Sequence, residues 1–449
     1  MASPVTLTSK SRLAVSASLR RALSSGGEVR TELLVSAWWS LASAVVARGA
    51  NVLVLMICAR ALMETRFGEL AIIQSTVGMF GPLAGLGLGM TTTRYLAEYR
   101  HKDPARAGSI LGLSLLAALV SGLLMSGLLI ALAPVLAAKT LGSPHLSSNL
   151  IVGSGLLFFG VLEAVQTGAL VGLEAFYRVA RLSVWNGILS LPLTAFLVYR
   201  YGVNGALVGM TVSLALACLL NGIALRQESE RNGVKASLRG CWTEWPILLA
   251  FSLPTYLSGI IVAPATWVAS ALLVNRPGGY SEMALFSAAD RWRYFLIFVP
   301  LSVSRIAVPV FSRFRSAGDR AGYRGAFRAN LLLGATLTVV PAILCGFFSA
   351  FLMGVYGSSF RRGWLVMVIL ALSAIPTVFN TQLGAVLLSH NRAWTRMAID
   401  FVLAGVFLGL ASWAVPRWAA TGLAGAFAAA YTVSALILMV CVRKLHAKA

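Results

Sequence analysis

Four ionisable side chains, Asp290, Arg291, Arg293 and Arg305, interrupt the apolar stretch Met283–Phe311. The stretch is long enough to cross a bilayer as a helix. An ionised group at membrane depth costs roughly 2.5–3.5 kcal/mol on insertion scales, so these side chains must face protein or water. Helical spacing puts Ser287, Arg291, Phe298, Ser302 and Arg305 on one face, in steps of four, seven, four and three. Asp290 and Arg293 form an i, i+3 pair beside that face. Arg suits a phosphorylated ligand because its planar fork gives bidentate, charge-assisted hydrogen bonds and never deprotonates. Arg48 and Asn51, one turn apart in an earlier apolar run, offer the same chemistry from a second helix. The candidate ligands for an anionic cargo are therefore Arg48, Asn51, Arg291, Arg293 and Arg305. Arg305 lies close enough to its span end to snorkel to the interface instead.

Glu163, Asp290 and Asp400 are the acids in apolar runs. Each is a candidate proton or sodium site, or a counter-ion for a cavity Arg. The structural alternatives are pairing of Arg293 with Asp290 and of Arg48 with Glu163. For Asp400, a few residues from its span end, solvation is the simpler expectation. Gln74, Gln166, Asn186, Asn221, Asn380 and Gln382 have the chemistry to meet sugar hydroxyls, though interhelical hydrogen bonding is the commoner use of such residues. Trp38, Trp39, Tyr256, Trp267, Trp292 and Tyr294 could stack on sugar rings or anchor the helices at the interface.

Enzyme signatures are missing. No Gly-Lys-Ser/Thr phosphate loop and no HExxH occurs. The four His residues, 101, 145, 390 and 446, are scattered, as are the five Cys residues, so neither a zinc site nor a disulfide framework is indicated. No cofactor is expected beyond coupling to a proton or sodium gradient.

The composition, 58% hydrophobic and 12% charged with a mean hydropathy of +0.81, is that of a polytopic membrane protein. Its long continuous apolar runs point to an all-α protein, since barrel strands alternate apolar and polar positions. About twelve spans are expected, near 33–58, 70–91, 108–132, 149–173, 182–199, 203–224, 247–274, 283–311, 329–353, 364–388, 397–415 and 418–441. Alternate flanks then sort the 37 Lys and Arg residues: 25 on one side, eight on the other and four within spans. By the positive-inside rule both termini are cytoplasmic. The net charge of +22 is thus a topology signal facing anionic headgroups, and no nucleic-acid partner is implied.

Residues 1–32 read as a basic cytoplasmic arm, with Leu13 to Leu23 as a short amphipathic surface helix. An Arg- and Ser-rich, acid-poor start is also compatible with a transit peptide. The run TTTRYLAEYRHKDPARAG reads as a polar cytoplasmic loop. Gly81, Gly85 and Gly89 form a ridge suited to close helix approach, and Pro82 suggests a kink. Residues 226–246 divide an N-terminal lobe (33–225) from a C-terminal lobe (247–449).

The two lobes echo one another. Phe67-Gly-Glu-Leu-Ala parallels Tyr280-Ser-Glu-Met-Ala, Gln166-Thr-Gly-Ala-Leu parallels Gln382-Leu-Gly-Ala-Val, and Asn204-Gly-Ala-Leu parallels Thr421-Gly-Leu-Ala. The offsets of 213, 216 and 217 each bridge an even number of spans. Two six-helix lobes related as a parallel repeat follow.

The aromatic-Gly pair opening span 2, the RYLAEYR that closes it, and the Gln-x-Gly-Ala…Gly-Leu-Glu-Ala-Phe of 166–176 resemble the Wzx-type oligosaccharide flippases. FSLPTYLSG (251–259), FSAADR (286–291) and VYGSSF (355–360) add to the resemblance, which runs from about residue 33 to the end. These flippases are polysaccharide biosynthesis proteins of the multidrug/oligosaccharidyl-lipid/polysaccharide exporter superfamily. The resemblance implies a V-shaped cavity lined by spans 1 and 8, alternating access, and a polyprenyl-pyrophosphate-linked oligosaccharide as cargo. It also implies the cytoplasmic (inner) membrane as location, with membrane lipids and polysaccharide polymerase or assembly proteins as partners. The basic arm is longer than the family leads one to expect. An exporter of cationic drugs would favour an acidic cavity, whereas the spans here carry four Arg against three acids. A glycan polymerase or ligase would show a sizeable outer loop, which this chain lacks. A non-transporting assembly scaffold stays open.

Overall fold

The structure, a computed structural model, describes residues 26–238, 245, 253–316, 320–390 and 392–448. Their side chains are described within 48–238, 245, 259–302, 322, 325–387, 390, 392 and 394–445. The expected surface helix at 13–23 and the side chains of Arg305, Trp38, Trp39 and Tyr256 lie outside these.

The described residues form helices and turns only. In order they are α1 (Gly26–Gly85), α2 (Leu88–Tyr99), α3 (Pro104–Val135, prolonged by a π turn to Thr140), α4 (Leu146–Gly172) and α5 (Phe176–Arg231). After the linker come α6 (Leu253–Val274), α7 (Gly279–Ser316), α8 (Arg320–Phe347), α9 (Ser349–Gly354), α10 (Trp364–Ser389) and α11 (Ala393–Lys448). Seven stretches among the described residues are long and apolar enough to cross a membrane.

Three of these, Arg48–Tyr99, Phe176–Arg231 and Trp394–Leu445, have 52, 56 and 52 residues. A straight helix of that length would reach about 75–85 Å, nearly twice a bilayer with its headgroups. Each bends at a residue of left-handed φ that ends one helix and begins the next, Met63 (φ 61°), Gly202 (φ 60°) and Ala419 (φ 47°), and the first stretch breaks again at Leu86 and Gly87. The expected span ends at 58/70 and 199/203 bracket the first two, and Ala419 falls one residue past the expected start of the last span at 418. Gly202 and Ala419 are 217 residues apart and share a ψ near −130° (−135° and −125°). Three residues on, Gly205 and Gly422 press against the carbonyls of Leu197 and Ala414, where a Cβ would overlap backbone.

Packing is uneven along the molecule. At the Met63 end, one core draws from both halves, with Phe67, Leu70, Leu273, Met283, Tyr356 and Leu423 in a single cluster. At the opposite end the cores are separate. Leu96, Leu111 and Leu170 belong to an N-terminal cluster, and Leu383, Leu387 and Leu438 to a C-terminal one. The broad contacts between halves run from α1 onto α6 and α7. The halves thus share one core at the Met63 end and keep separate cores at the other, with α1 and α6 still meeting at Pro82 and Gly259.

Two local expectations change. The segment 92–107, read as a loop, is helical through Tyr99, where Tyr95 and Tyr99 stack 6.3 Å apart. Asp103 caps the next helix by accepting from the Arg106 N–H at 3.0 Å. Of the Gly81/Gly85/Gly89 ridge, only Gly89 makes the close approach, against the Ala164 carbonyl; nothing lies within 4 Å of a Cβ on Gly81 or Gly85. Leu86 and Gly87 take positive φ and break the ridge into two helices.

The tightest crossing between halves is at Gly68, where a Cβ would overlap the Tyr280 carbonyl. Gly68→Val should destabilise the shared core by about 1–3 kcal/mol through overpacking. Thermal unfolding in detergent measures it, with Gly81→Ala as a control that leaves the midpoint unchanged.

Candidate functional site, a cationic seam between the halves

α7 carries the predicted stripe, and its neighbours show which way it faces. Arg291 lies about 18 Å along α7 from Gly279, near the middle of a span. Its Nη2 donates to Gln74 Oε1 of α1 at 2.6 Å, across the boundary between halves. Farther along, the Arg48 guanidinium of α1 sits 4.1 Å from the centre of the Phe298 ring. Ser287 is buried and Ser302 donates to the Phe298 carbonyl at 2.9 Å. The stripe therefore looks at α1. Arg48 and Asn51 are exposed, and Arg291 is half-buried. The structure brings Arg48 and Arg291 to one seam, and shows no contact of Asn51 with the C-terminal half among the described residues.

Arg293, two residues on, points the other way. It is 3% exposed, its Nε donates to Asp290 Oδ1 at 2.6 Å, and its guanidinium lies 4.3 Å from the Phe427 ring centre of α11. This is a matched ion pair inside the C-terminal half, and the structure does not bring Arg293 or Asp290 to the seam. Asp400 is not solvated, contrary to the simpler expectation: it is 0% exposed. Arg396 binds it at 2.8 and 3.0 Å and also reaches Asn380 Oδ1 at 2.9 Å. A Cβ on Gly384 would collide with that guanidinium, so the bare backbone there makes room for it. Arg396 was missed as a site residue, although its i, i+4 spacing to Asp400 signals the pair.

Glu163 is half-buried on α4 and accepts from Thr167 Oγ1 at 2.8 Å, so its partner is not Arg48. Asn221 of α5 donates to the same Thr167 hydroxyl at 3.3 Å. Among the described residues Glu163 has no ion-pair partner. Of the candidate sugar contacts, Gln74 belongs to Arg291, Gln382 donates to the Asn330 carbonyl at 3.0 Å and Asn380 to Ser434 Oγ at 2.6 Å. Trp267 donates across the halves to Thr76 Oγ1 at 2.9 Å.

The seam is closed at the Met63 end by groups sequence reasoning did not single out. Arg362 donates to Glu64 Oε2 at 2.6 Å and to Ser281 Oγ at 2.7 Å, and approaches Glu282 at 3.5 Å. Ser281 also donates to Glu64. Arg60 Nε reaches the Val355 carbonyl at 2.9 Å, and Tyr280 Oη the Leu141 carbonyl at 2.8 Å. Beneath this latch Phe67, Tyr356 and Phe360 pack with ring centres 5.8–6.4 Å apart. Glu64 and Arg362 are 298 residues apart, so nothing local in the chain announces the pair. Burial opposes ionisation of Glu64, but the Ser281 hydroxyl and the Arg362 guanidinium outweigh it and hold the pKa below the ordinary carboxylate value.

Helices that cross a bilayer, joined at one end and holding guanidinium groups at mid-depth between two halves, define a membrane protein built around a central polar seam. Residues 33–315 match the family described as polysaccharide biosynthesis protein, and the chain belongs to that family. It is 23% identical over 418 residues to the EPS I polysaccharide export inner membrane protein EpsE of Ralstonia solanacearum, covering 90% of this chain and 92% of that one. It is 25% identical over 421 residues to the lipid III flippase of Escherichia coli K12, covering 88% and 94%. Among solved structures it resembles the inward-facing conformation of a multidrug resistance MATE family transporter of the MOP superfamily, with a TM-score of 0.75 at 15% identity over 89% and 95% of the chains. It also resembles the lipid II flippase MurJ in an inward closed conformation, with a TM-score of 0.69 at 13% identity over 90% and 87%. These likenesses establish the fold.

A carboxylate with a depressed pKa stabilises the folded contact above the ordinary pKa and loses it as the pH falls through the lowered value. The latch should hold from neutral pH down to about pH 5 and release only below the usual Glu value of roughly 4.3. Thiol labelling of Ala284→Cys, buried beneath it, in a background lacking the native cysteines and expressed relative to an exposed control cysteine at the same pH to cancel the loss of thiolate, should be low at pH 7 and rise in acid. Arg362→Gln should make it high at pH 7.

Proposed function

We propose that this protein moves a polyprenyl-pyrophosphate-linked oligosaccharide across the inner membrane, for surface polysaccharide assembly, by alternating access of the central seam. One observation carries the reading. In the C-terminal half the buried Arg293 and the half-buried Arg396 are matched by Asp290 and Asp400, whereas Arg291 at the seam has the neutral Gln74 amide and no carboxylate among the described residues. A guanidinium at membrane depth without a carboxylate is a standing site for an anion. A pyrophosphate headgroup supplies one, and the open end of the seam admits it while the lipid tail stays in the bilayer.

Arg48, Asn51 and Arg291 are the headgroup ligands in this reading, and Arg305, whose side chain lies outside the described ones, is assigned with them on its sequence spacing alone. Arg293 and Asp290 balance each other and hold α7 against α11. Glu163, without a cation partner among the described residues, is the residue for proton or sodium coupling; Asp400 is already paired with Arg396. The chain works as a transporter rather than an enzyme, in keeping with the names of its relatives.

The architecture in this reading is twelve spans in two six-helix lobes, 33–225 and 247–449, joined by the linker 226–246 and preceded by the arm 1–32. Splitting the three long helices at Met63, Gly202 and Ala419 supports that count. The matched turns at Gly202 and Ala419, and the matched close approaches at Gly205 and Gly422, support a parallel repeat. The basic bias supports cytoplasmic termini, which puts the open end of the seam on the cytoplasmic side, where lipid-linked precursors are assembled.

Arg48→Ala and Arg291→Ala should each abolish flipping of a fluorescent lipid-linked oligosaccharide in proteoliposomes while leaving the unfolding midpoint in place. Arg291→Lys should retain part of the activity, having charge without the fork. Full flipping by both alanine variants would remove the headgroup site. Loss of gradient dependence in Glu163→Gln, with downhill flipping retained, is the expected signature of coupling.

A further inference from the structure

Away from the seam, on the outer side of the N-terminal half, a cavity of about 350 Å³ opens between α3, α4, α5 and the start of the linker. It shares Gln166, Gly222 and Arg226 with an adjoining apolar groove of about 550 Å³ between α4 and α5. Two side chains lining it are more than nine-tenths buried and lack a hydrogen-bond partner among the described residues: Gln166 through Oε1 and Ser229 through Oγ. An orphaned buried amide costs about 1–3 kcal/mol, so such atoms point to an occupant.

The order of residues along α5 says what kind. Leu219 and Ile223 are 64% and 58% exposed and face hydrocarbon. One turn on, Arg226 opens the charged end, with its Nε 3.2 Å from Glu230 Oε1. Lys235 faces it from the linker, is exposed, and has no ion-pair partner among the described residues. The rim therefore has a net positive charge once Arg226 and Glu230 are matched. That strand of linker is held firmly: Ser237 N–H donates to the Gly108 carbonyl at 3.1 Å, and Gly108 and Gly112 leave no room for a Cβ beneath Lys235 and Ser237. The Gly-x-x-x-Gly of α3 thus seats this segment of the linker and fixes the Lys235 backbone beside the cavity.

We infer that this cavity and groove form a binding site for an anionic glycerophospholipid of the leaflet at the basic end of the molecule. Phosphate lies against Lys235, Ser229 Oγ and the Arg226 rim. The ester carbonyls, about one helical turn deeper, reach the Gln166 amide, which has N–H donors once its orientation is set by the ligand. One acyl chain follows Leu219 and Ile223 along the apolar groove. A basic pocket between membrane helices at the headgroup level is the general recipe for such recognition. The lipid would also tie the linker to the N-terminal half, because Val234 and Lys235 form one wall.

The test uses the full chain in detergent and two probes of the same acyl length, phosphatidylglycerol and phosphatidylcholine. Phosphatidylglycerol should raise the unfolding midpoint and be retained as a one-to-one adduct in native mass spectrometry; phosphatidylcholine should do neither. Lys235→Gln and Gln166→Leu should each weaken retention about tenfold, the loss of one buried or charge-assisted hydrogen bond. Equal retention of both lipids means annular contact only and overturns the proposal. So does undiminished phosphatidylglycerol binding by Lys235→Gln, an exposed position whose substitution leaves folding intact. Should Gln166→Leu fail to fold, the wild-type lipid comparison and Lys235→Gln decide the matter between them.

Discussion

A guanidinium in hydrocarbon has no protonation escape, since Arg stays charged at any accessible pH. It needs a carboxylate, a water-filled space or an anion, and the structure is arranged around which of these each one receives. Inside the C-terminal half the answer is a carboxylate, Asp290 for Arg293 and Asp400 for Arg396. Where the two halves meet the answer changes. Arg291 is met by a neutral amide, with no carboxylate among the described residues, and the Arg48 guanidinium also lies over the face of Phe298. Cationic groups thereby line the boundary between α1 and α7.

That boundary is useful only if the halves can part along it, and the packing is graded to allow this. The shared core and the polar latch of Glu64, Ser281 and Arg362 close one end. Separate cores at the other end let each half keep its own interior when the seam opens there. The latch is polar and partly exposed, so water can replace its hydrogen bonds as they break, at far less cost than unpairing a dry ion pair. The buried pairs around Arg293 and Arg396 carry the opposite logic. They stay within one half and need not break during a rigid-body motion.

Much of the site was legible in the sequence. The spacing of Ser287, Arg291, Phe298 and Ser302 gave a face, and α1 lies against it. The turns at Met63 and Gly202 fall between spans read from hydropathy alone, and the turn at Ala419 lies one residue past the expected start of the last span. The i, i+3 spacing of Asp290 and Arg293 already marked a structural pair. What could not be read were contacts between distant segments, such as Arg362 with Glu64 and Arg291 with Gln74. The fate of Asp400 was misjudged because distance from a span end says nothing about what packs over it. The loop at 92–107 was misjudged because polar, basic composition was weighed above the helix-forming run Arg94–Tyr99.

The sequence by itself determined that the chain spans a membrane through helices, that its basic residues favour one side, and that Arg side chains line one face of α7. Those follow from transfer energies and a 3.6-residue period, which are local. Only the tertiary structure decided which Arg is neutralised and which is left at the seam, and which end of the seam is shut. The reason is physical: in a bilayer both the lipid-facing and the protein-facing sides of a helix are apolar, so hydrophobic pattern does not fix its rotation. The rotation is set by partners hundreds of residues away, and with it the environment of every charge the helix carries.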